Sequence, residues 1–432
     1  MLWLVVICLC LHYVNTEYIV TIPIANNPIC SFVAATNIEL AKPDWSCDSN
    51  GQPTTNPCSF QWYGVNCSNY TDTGVVTVIS LNTLGINGSI PSGLMLLDSL
   101  QELTLSNNSL SRKIPRNIGN LINLTKFNIE QNLITGSFPS SIVELINLQY
   151  VSVRRNTIVG HFPTNFSQLN NLVEIDFGQN HMAGLIPNDI SALVNLMLFN
   201  VGDNRLSGSI PIGIGNLTKL IKLNLAENKL EGNIDIIMSL VNLQEMSLHT
   251  NMLTGYISCN ISNIANLKYM YLANNFLSGT LPSTIVALTL LERILVQYNQ
   301  LEGSLAQDIG NLSKMKLISF GHQMFTGSLP ESIVKMKNLT TLAGNNNNGM
   351  VGSLPGGLMD IYSLSLVDFG GNRMTGTIPG NIGQLSALSY LSLVSNGMTG
   401  TIPLVITNMT SLIHINLGRN FFTGTIPSNI TL

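Results

Sequence analysis

The chain has 432 residues, 45% of them hydrophobic and only 10% charged, with 36 glycines, 17 prolines and a net charge of −4. Ordinary soluble domains carry about 25% charged residues, and a nucleic-acid binder needs a basic face to displace counterions, so that class is excluded. Length alone suggests about three domains, but repeat proteins break that rule, so periodicity is examined along the chain.

Leu2 to Val14 reads LWLVVICLCLHYV, thirteen residues without a charged side chain. This is short of the ~20 residues that cross a bilayer as a helix, but it suits the apolar core of a secretory signal. Met1 supplies the only positive charge of its leading end, through its α-amine. Val14 and Thr16 are small enough for the −3 and −1 positions of a signal peptidase site, which places cleavage after Thr16. A buried N-terminal strand is the competing reading. Elsewhere Asn, Gly and Ser interrupt every apolar run, so the sequence reads as unanchored. The expected division is 1–16 signal peptide, 17–75 N-terminal cap and 76–432 repeat solenoid.

Cys30, Cys47, Cys58 and Cys67 cluster before the repeats. In an exported chain four such cysteines read as two disulfides, with three pairings open. Their spacing lacks the C-x₂₋₄-C knuckle of a zinc site, and no metal is expected. Cys259 stands alone and reads as a small buried hydrophobe. Sequons at Asn69, Asn87, Asn107, Asn123, Asn165, Asn216, Asn260, Asn311, Asn338 and Asn408 point to N-glycosylation of an extracellular product. Asn429 also fits the sequon, and Asn66 does so with a cysteine in the middle position.

From Val76 onward the pattern L-x-x-L-x-L-x-x-N-x-L-x-G-x-I-P recurs fifteen times, with an Asn-to-Asn step of 24 almost throughout. Leu84 and Gln323 replace the Asn, Arg112 replaces the Gly, and Asp235, Ser258 and Ala306 replace the Pro. Alternating apolar residues such as Leu124, Phe127 and Ile129 predict a short strand with one buried face. One such strand cannot bury its face alone, so the units must stack on a continuous core. A buried Asn offers two donors and an acceptor where the chain turns inward, so an Asn column can bridge successive backbones. Gly permits a positive φ where the chain turns outward, and Pro fixes the extended return.

These residues identify leucine-rich repeats. LSGSIP at Leu206 to Pro211 and MTGTIP at Met374 to Pro379 resemble the plant-type subclass. Upstream, Trp45 and CSFQWYGVNC from Cys58 to Cys67 resemble the N-terminal cap of plant receptor-like kinases and polygalacturonase-inhibiting proteins. The resemblance implies an α/β solenoid, a right-twisted superhelix with a concave parallel sheet. It also implies sequential cap disulfides, Cys30 with Cys47 and Cys58 with Cys67. A secreted or cell-surface address, ligand binding on the concave face and a membrane-bound co-receptor follow from it too.

A receptor-like kinase would carry a kinase domain after its membrane span. D-F-G occurs at Asp176 to Gly178 and Asp368 to Gly370, but both fall in repeat strands, with no H-R-D, V-A-I-K or phosphate loop. No hydrolase elbow, zinc-protease or P-loop motif occurs either, so the chain reads as non-enzymatic and needs no cofactor. Function then rests on side chains between the strand leucines. Repeats eight to ten align Glu245, His249, Tyr269, Tyr271, Arg293, Gln297 and Tyr298, the principal expected ligand patch. Repeats three to five align a second group: Lys126, Glu130, Tyr150, Arg154, Arg155, Glu174 and Asp176. Repeat seven is one residue short, an irregularity expected to bend the stack beside the tyrosines and shape a recess.

The expected function is an extracellular recognition module for a protein, peptide or glycan, the ectodomain of a receptor-like protein or kinase. The alternative is a secreted enzyme inhibitor or wall-associated structural protein. The apolar last repeat, with Leu412, Ile415, Leu417 and Phe422, leads to the expectation of further downstream sequence or a covering partner.

Overall fold

The computed structural model describes residues 27–427; the expected signal peptide and Asn429 lie outside the described residues. One sheet of sixteen strands runs the length of the molecule. Its first strand, Val65–Cys67, pairs antiparallel with Val76–Ser80. The other fifteen are parallel and follow chain order, one per sequence repeat, ending at His414–Asn416. Most are three residues long, because only one L-x-L alternation separates the incoming turn from the inward bend. In most of them the middle residue, such as Phe127, Ile175 or Met270, is buried between two partly exposed neighbours. Short 3₁₀ turns such as Ser140–Glu144 make the return, and residues like Ile142, Leu145 and Leu148 close the core behind the strands. The turn begins after Pro139 at φ −68°, a value the pyrrolidine ring imposes anyway.

The asparagine column bridges the turns as the pattern predicts. Asn156 Nδ2 donates to Val153 O in its own repeat at 2.9 Å and to Ile129 O in the preceding one at 2.9 Å. Its Oδ1 accepts from Ile134 N–H at 2.8 Å. The rung recurs up to Asn420 with one break. Repeat twelve carries an extra residue inside Asn345-Asn-Asn-Asn-Gly349, and Asn372 Oδ1 is buried without a hydrogen-bond partner. On the opposite edge of the strands a second amide series donates to the preceding repeat, from Asn123 to Asp98 O and from Asn147 to Ile122 O. The repeat glycines have positive φ, as Gly136 at +77° does, and Arg112 takes +67° at the one departure.

The cap buries Trp45 and Trp62, their rings 5.5 Å apart, over the first apolar turn. Trp45 Nε1 donates to Tyr63 O and Trp62 Nε1 to Thr55 Oγ1, both at 2.9 Å. Cys30 pairs with Cys47 and Cys58 with Cys67, the sequential pattern. Because Cys58 to Cys67 closes a short loop under Trp62, replacing both by Ser should lower stability by about 3 kcal/mol. Thermal unfolding of the secreted double variant checks this; an unchanged midpoint excludes it.

Cys259 departs from expectation. It is exposed, not buried, because it opens the 3₁₀ turn Cys259–Asn263, at a position that is exposed in most repeats, as Ser140 and Ser283 are. The ten expected glycosylation asparagines are all exposed. Among the described residues no helix is long and apolar enough to cross a membrane.

Candidate functional site

The sheet face carries the variable side chains in register. Glu245 lies opposite Tyr269, which lies opposite Arg293, and Ser247 opposite Tyr271. The structure therefore brings the principal patch together. The Tyr269 and Tyr271 rings lie 6.2 Å apart and nearly parallel, two residues apart on one strand with both side chains on the same face. Arg293 stands 5.7 Å from the Tyr269 ring, a cation–π arrangement. Burial pushes the Tyr271 hydroxyl up in pKa, and the Arg293 guanidinium beside it pulls the other way. Glu245 is held by Lys222 at 3.6 Å. Gln297 Oε1 is buried without a hydrogen-bond partner among the described residues.

Sequence reading missed His322. Its ring stacks on Tyr298 at 4.1 Å, extending the aromatic surface one repeat further. The signal was present, since Tyr298 and His322 occupy the same repeat position 24 residues apart.

The second group differs, because its charged side chains mostly engage partners outside it. Lys126 pairs with Glu102 at 3.8 Å and lies 5.8 Å from the Tyr150 ring. Glu130 accepts from the Ser152 hydroxyl at 3.1 Å, and Arg155 Nε donates to Gln179 at 2.7 Å. Both D-F-G segments are structural. Phe177 and Phe369 are fully buried, while Asp176 and Asp368 accept from the N–H groups of Gly178 and Gly370.

Burial raises the Asp176 carboxyl above the ordinary carboxylate range, and the Gly178 N–H and Arg154 oppose it. A native pKa above the unfolded one means that the folded state holds more protons in that window, so ionisation costs stability as pH rises through it. Asp176→Asn should therefore gain on the parent between about pH 4 and about pH 7. Thermal midpoints at both pH values check this, and an equal difference at each would refute it.

The expected recess lies elsewhere than beside the tyrosines. A trough of about 110 Å³ runs over repeats four to eight, from Arg154 across Gly178, Gly202 and Ala226 to His249. It joins the two groups. The half-buried His249 ring is kept toward its neutral form by burial, against the pull of Glu227. The irregular repeat seven opens a separate cleft on the outer flank, about 660 Å³, where Asp235 replaces Pro. Among the described residues no His, Cys, Asp and Glu cluster could hold a metal ion.

A family profile described as Leucine Rich Repeat matches residues 99–121 and 266–288. The Arabidopsis receptor kinase HAESA, solved with the peptide hormone IDA and the co-receptor SERK1, superposes with a TM-score of 0.81 at 30% identity. That match covers 92% of this chain and 66% of the other. A TDR receptor matches with a TM-score of 0.76 at 30% identity, over 81% of this chain and 65% of its own. The plant peptide hormone receptor RGFR1, in complex with RGF2, matches at 0.68 and 25% identity over 78% of this chain and 65% of its own. This chain thus spans just under two thirds of these relatives' length. The period, the capped parallel sheet and these likenesses agree: the chain is a leucine-rich repeat protein of the plant type, similar to the ectodomains of plant receptor kinases.

Proposed function

We propose that the chain is an extracellular, non-catalytic recognition module that binds a peptide across its concave sheet, as part of a cell-surface receptor-like protein acting with a membrane-bound co-receptor. The observation that carries this reading is the in-register surface of His249, Tyr269, Tyr271, Arg293, Tyr298 and His322. Large rings with polar tips on a rigid sheet give contact area at little entropic cost, which is what a binding hot spot needs. Two of the similar structures are complexes with peptide ligands. Exposed sequons and the disulfide-bonded cap suit an extracellular address.

The span also suits a peptide. Six strand spacings of ~4.8 Å separate the Arg154 repeat from that of Tyr298, roughly 29 Å, the length of an extended peptide of about nine residues. The test is to pan phage-displayed random decapeptides on the secreted protein, with the Tyr269→Ala/Tyr271→Ala variant as counter-target. Clones that prefer the parent support the reading. Failure to obtain any such clone refutes it.

A further inference from the structure

We infer that the trough between Arg154 and His249 selects a peptide carrying an acidic and a basic side chain four residues apart. This rests on the concave-face peptide reading above and adds to it which charges the ligand must carry and at what spacing.

The trough is a built feature of the fold. A Cβ on Gly178 or on Gly202 would stand 2.8 Å from the amide nitrogen of Asn200 or Asn224 respectively, so only glycine lets those side chains lie flat across the strands. Asn200 and Asn224 are held in turn by accepting from the N–H groups of Gly202 and Ala226 at 3.0 and 3.1 Å. The floor is therefore fixed in depth by packing and by hydrogen bonds. At about 110 Å³ it admits a side chain or two rather than a folded domain.

One end wall is a cation without an acceptor. The Arg154 guanidinium makes no hydrogen bond or ion pair among the described residues, and its Nε is fully buried. Carboxylates of the two adjacent repeats accept other donors, Asp176 while still acting on the guanidinium through its charge. Glu130 accepts from Ser152, and Asp176 Oδ1 accepts from Gly178 N–H and from Asn200 Nδ2 at 2.8 Å. A half-desolvated guanidinium lacking an acceptor is costly, and a ligand carboxylate would relieve it with a charge-assisted bond.

The rim further along has the opposite sign. Asp203 and Glu227 occupy the same position in adjacent repeats, both exposed and both held at positive φ, +54° and +53°. Neither forms an ion pair among the described residues; the acidic partners are Glu102, Glu245 and Glu292 instead. Two carboxylates one strand spacing apart clamp a single ammonium or guanidinium. The half-buried His249 ring closes that end.

Spacing fixes the sequence rule. From the Arg154 strand to midway between the Asp203 and Glu227 strands is two and a half spacings, about 12 Å. In an extended peptide, residues on one face recur every second position at ~3.3 Å per residue, so i and i+4 lie about 13 Å apart. Neither i+2 nor i+6 comes near that distance.

The probes are the decapeptide clones selected on the parent protein, sequenced and then resynthesised with a fluorescent label. Expected is enrichment of acidic–basic pairs at a separation of four. In fluorescence anisotropy Arg154→Gln and the pair Asp203→Asn/Glu227→Gln should each weaken binding about ten-fold or more. Changing the peptide's acid to its amide should cost the parent a similar factor and the Arg154→Gln variant almost nothing. Clones that lose binding to Tyr269→Ala/Tyr271→Ala but ignore both trough variants would overturn the charge rule and leave peptide binding standing. Clones indifferent to the tyrosines and the trough alike, or no clones at all, overturn both.

Discussion

Asn180→Ala should destabilise the solenoid by about 3 kcal/mol or more, the largest effect expected of a single substitution outside the apolar core. Asn180 is almost wholly buried. Its Oδ1 accepts from Ile158 N–H at 3.0 Å, and its Nδ2 donates to Val153 O and Phe177 O at 3.0 and 3.1 Å. Truncation leaves the buried Ile158 N–H without an acceptor, at about 1–3 kcal/mol, and removes one of the two donors that each of Val153 O and Phe177 O has, Asn156 and Asn204 supplying the other. The chain holds its own control at Gln323, whose longer amide keeps the bonds to Leu301 N–H and Val296 O. Asn180→Gln should accordingly cost clearly less than Asn180→Ala. Chemical denaturation of both variants decides this, and equal losses would show that space, not hydrogen bonding, governs the position.

Binding should respond as strongly to the tyrosines. For a decapeptide selected on the parent, Tyr269→Ala/Tyr271→Ala is expected to weaken affinity by about 30-fold, which corresponds to ~2 kcal/mol. Both rings stand on solvent-facing positions of Tyr269–Tyr271, and the core residue between them, Met270, is untouched. The unfolding midpoint should therefore stay near that of the parent while affinity falls. Titration of the labelled peptide into each protein provides the measurement. A parallel loss of stability would assign the effect to the scaffold, and retained affinity would remove the tyrosines from the site.

The scaffold was legible because it is over-determined. The Asn column, the outward Gly and the Pro each answer one demand of the chain path, and the demand recurs every 24 residues. The sequential cap disulfides followed from the resemblance of Cys58 to Cys67 to a known cap, while spacing alone left three pairings open. The site was legible only where side chains are large. Tyr269, Tyr271 and Arg293 announce themselves, whereas Gly178, Gly202 and Ala226 read as bland filler. A depression is made by the smallest residues, so scanning for conspicuous ones passes over it. Cys259 was misjudged for a related reason, because its residue type suggested burial while its place in the repeat pointed it outward.

The broken rung at Asn372 has a consequence for how the molecule comes apart. In a stack bound only through neighbouring turns, cooperativity passes from repeat to repeat and is weakest at the poorest junction. Repeat twelve supplies that junction, since the extra residue adds Asn348 at positive φ beside the regular Asn346, and one amide oxygen is left idle. Heat or pulling force would therefore divide the chain there before it melts as a whole. The turns that carry the tyrosine patch and the trough lie on the longer side of that fault. The three final turns, from Asn372 onward, could loosen and re-form while a peptide stays bound.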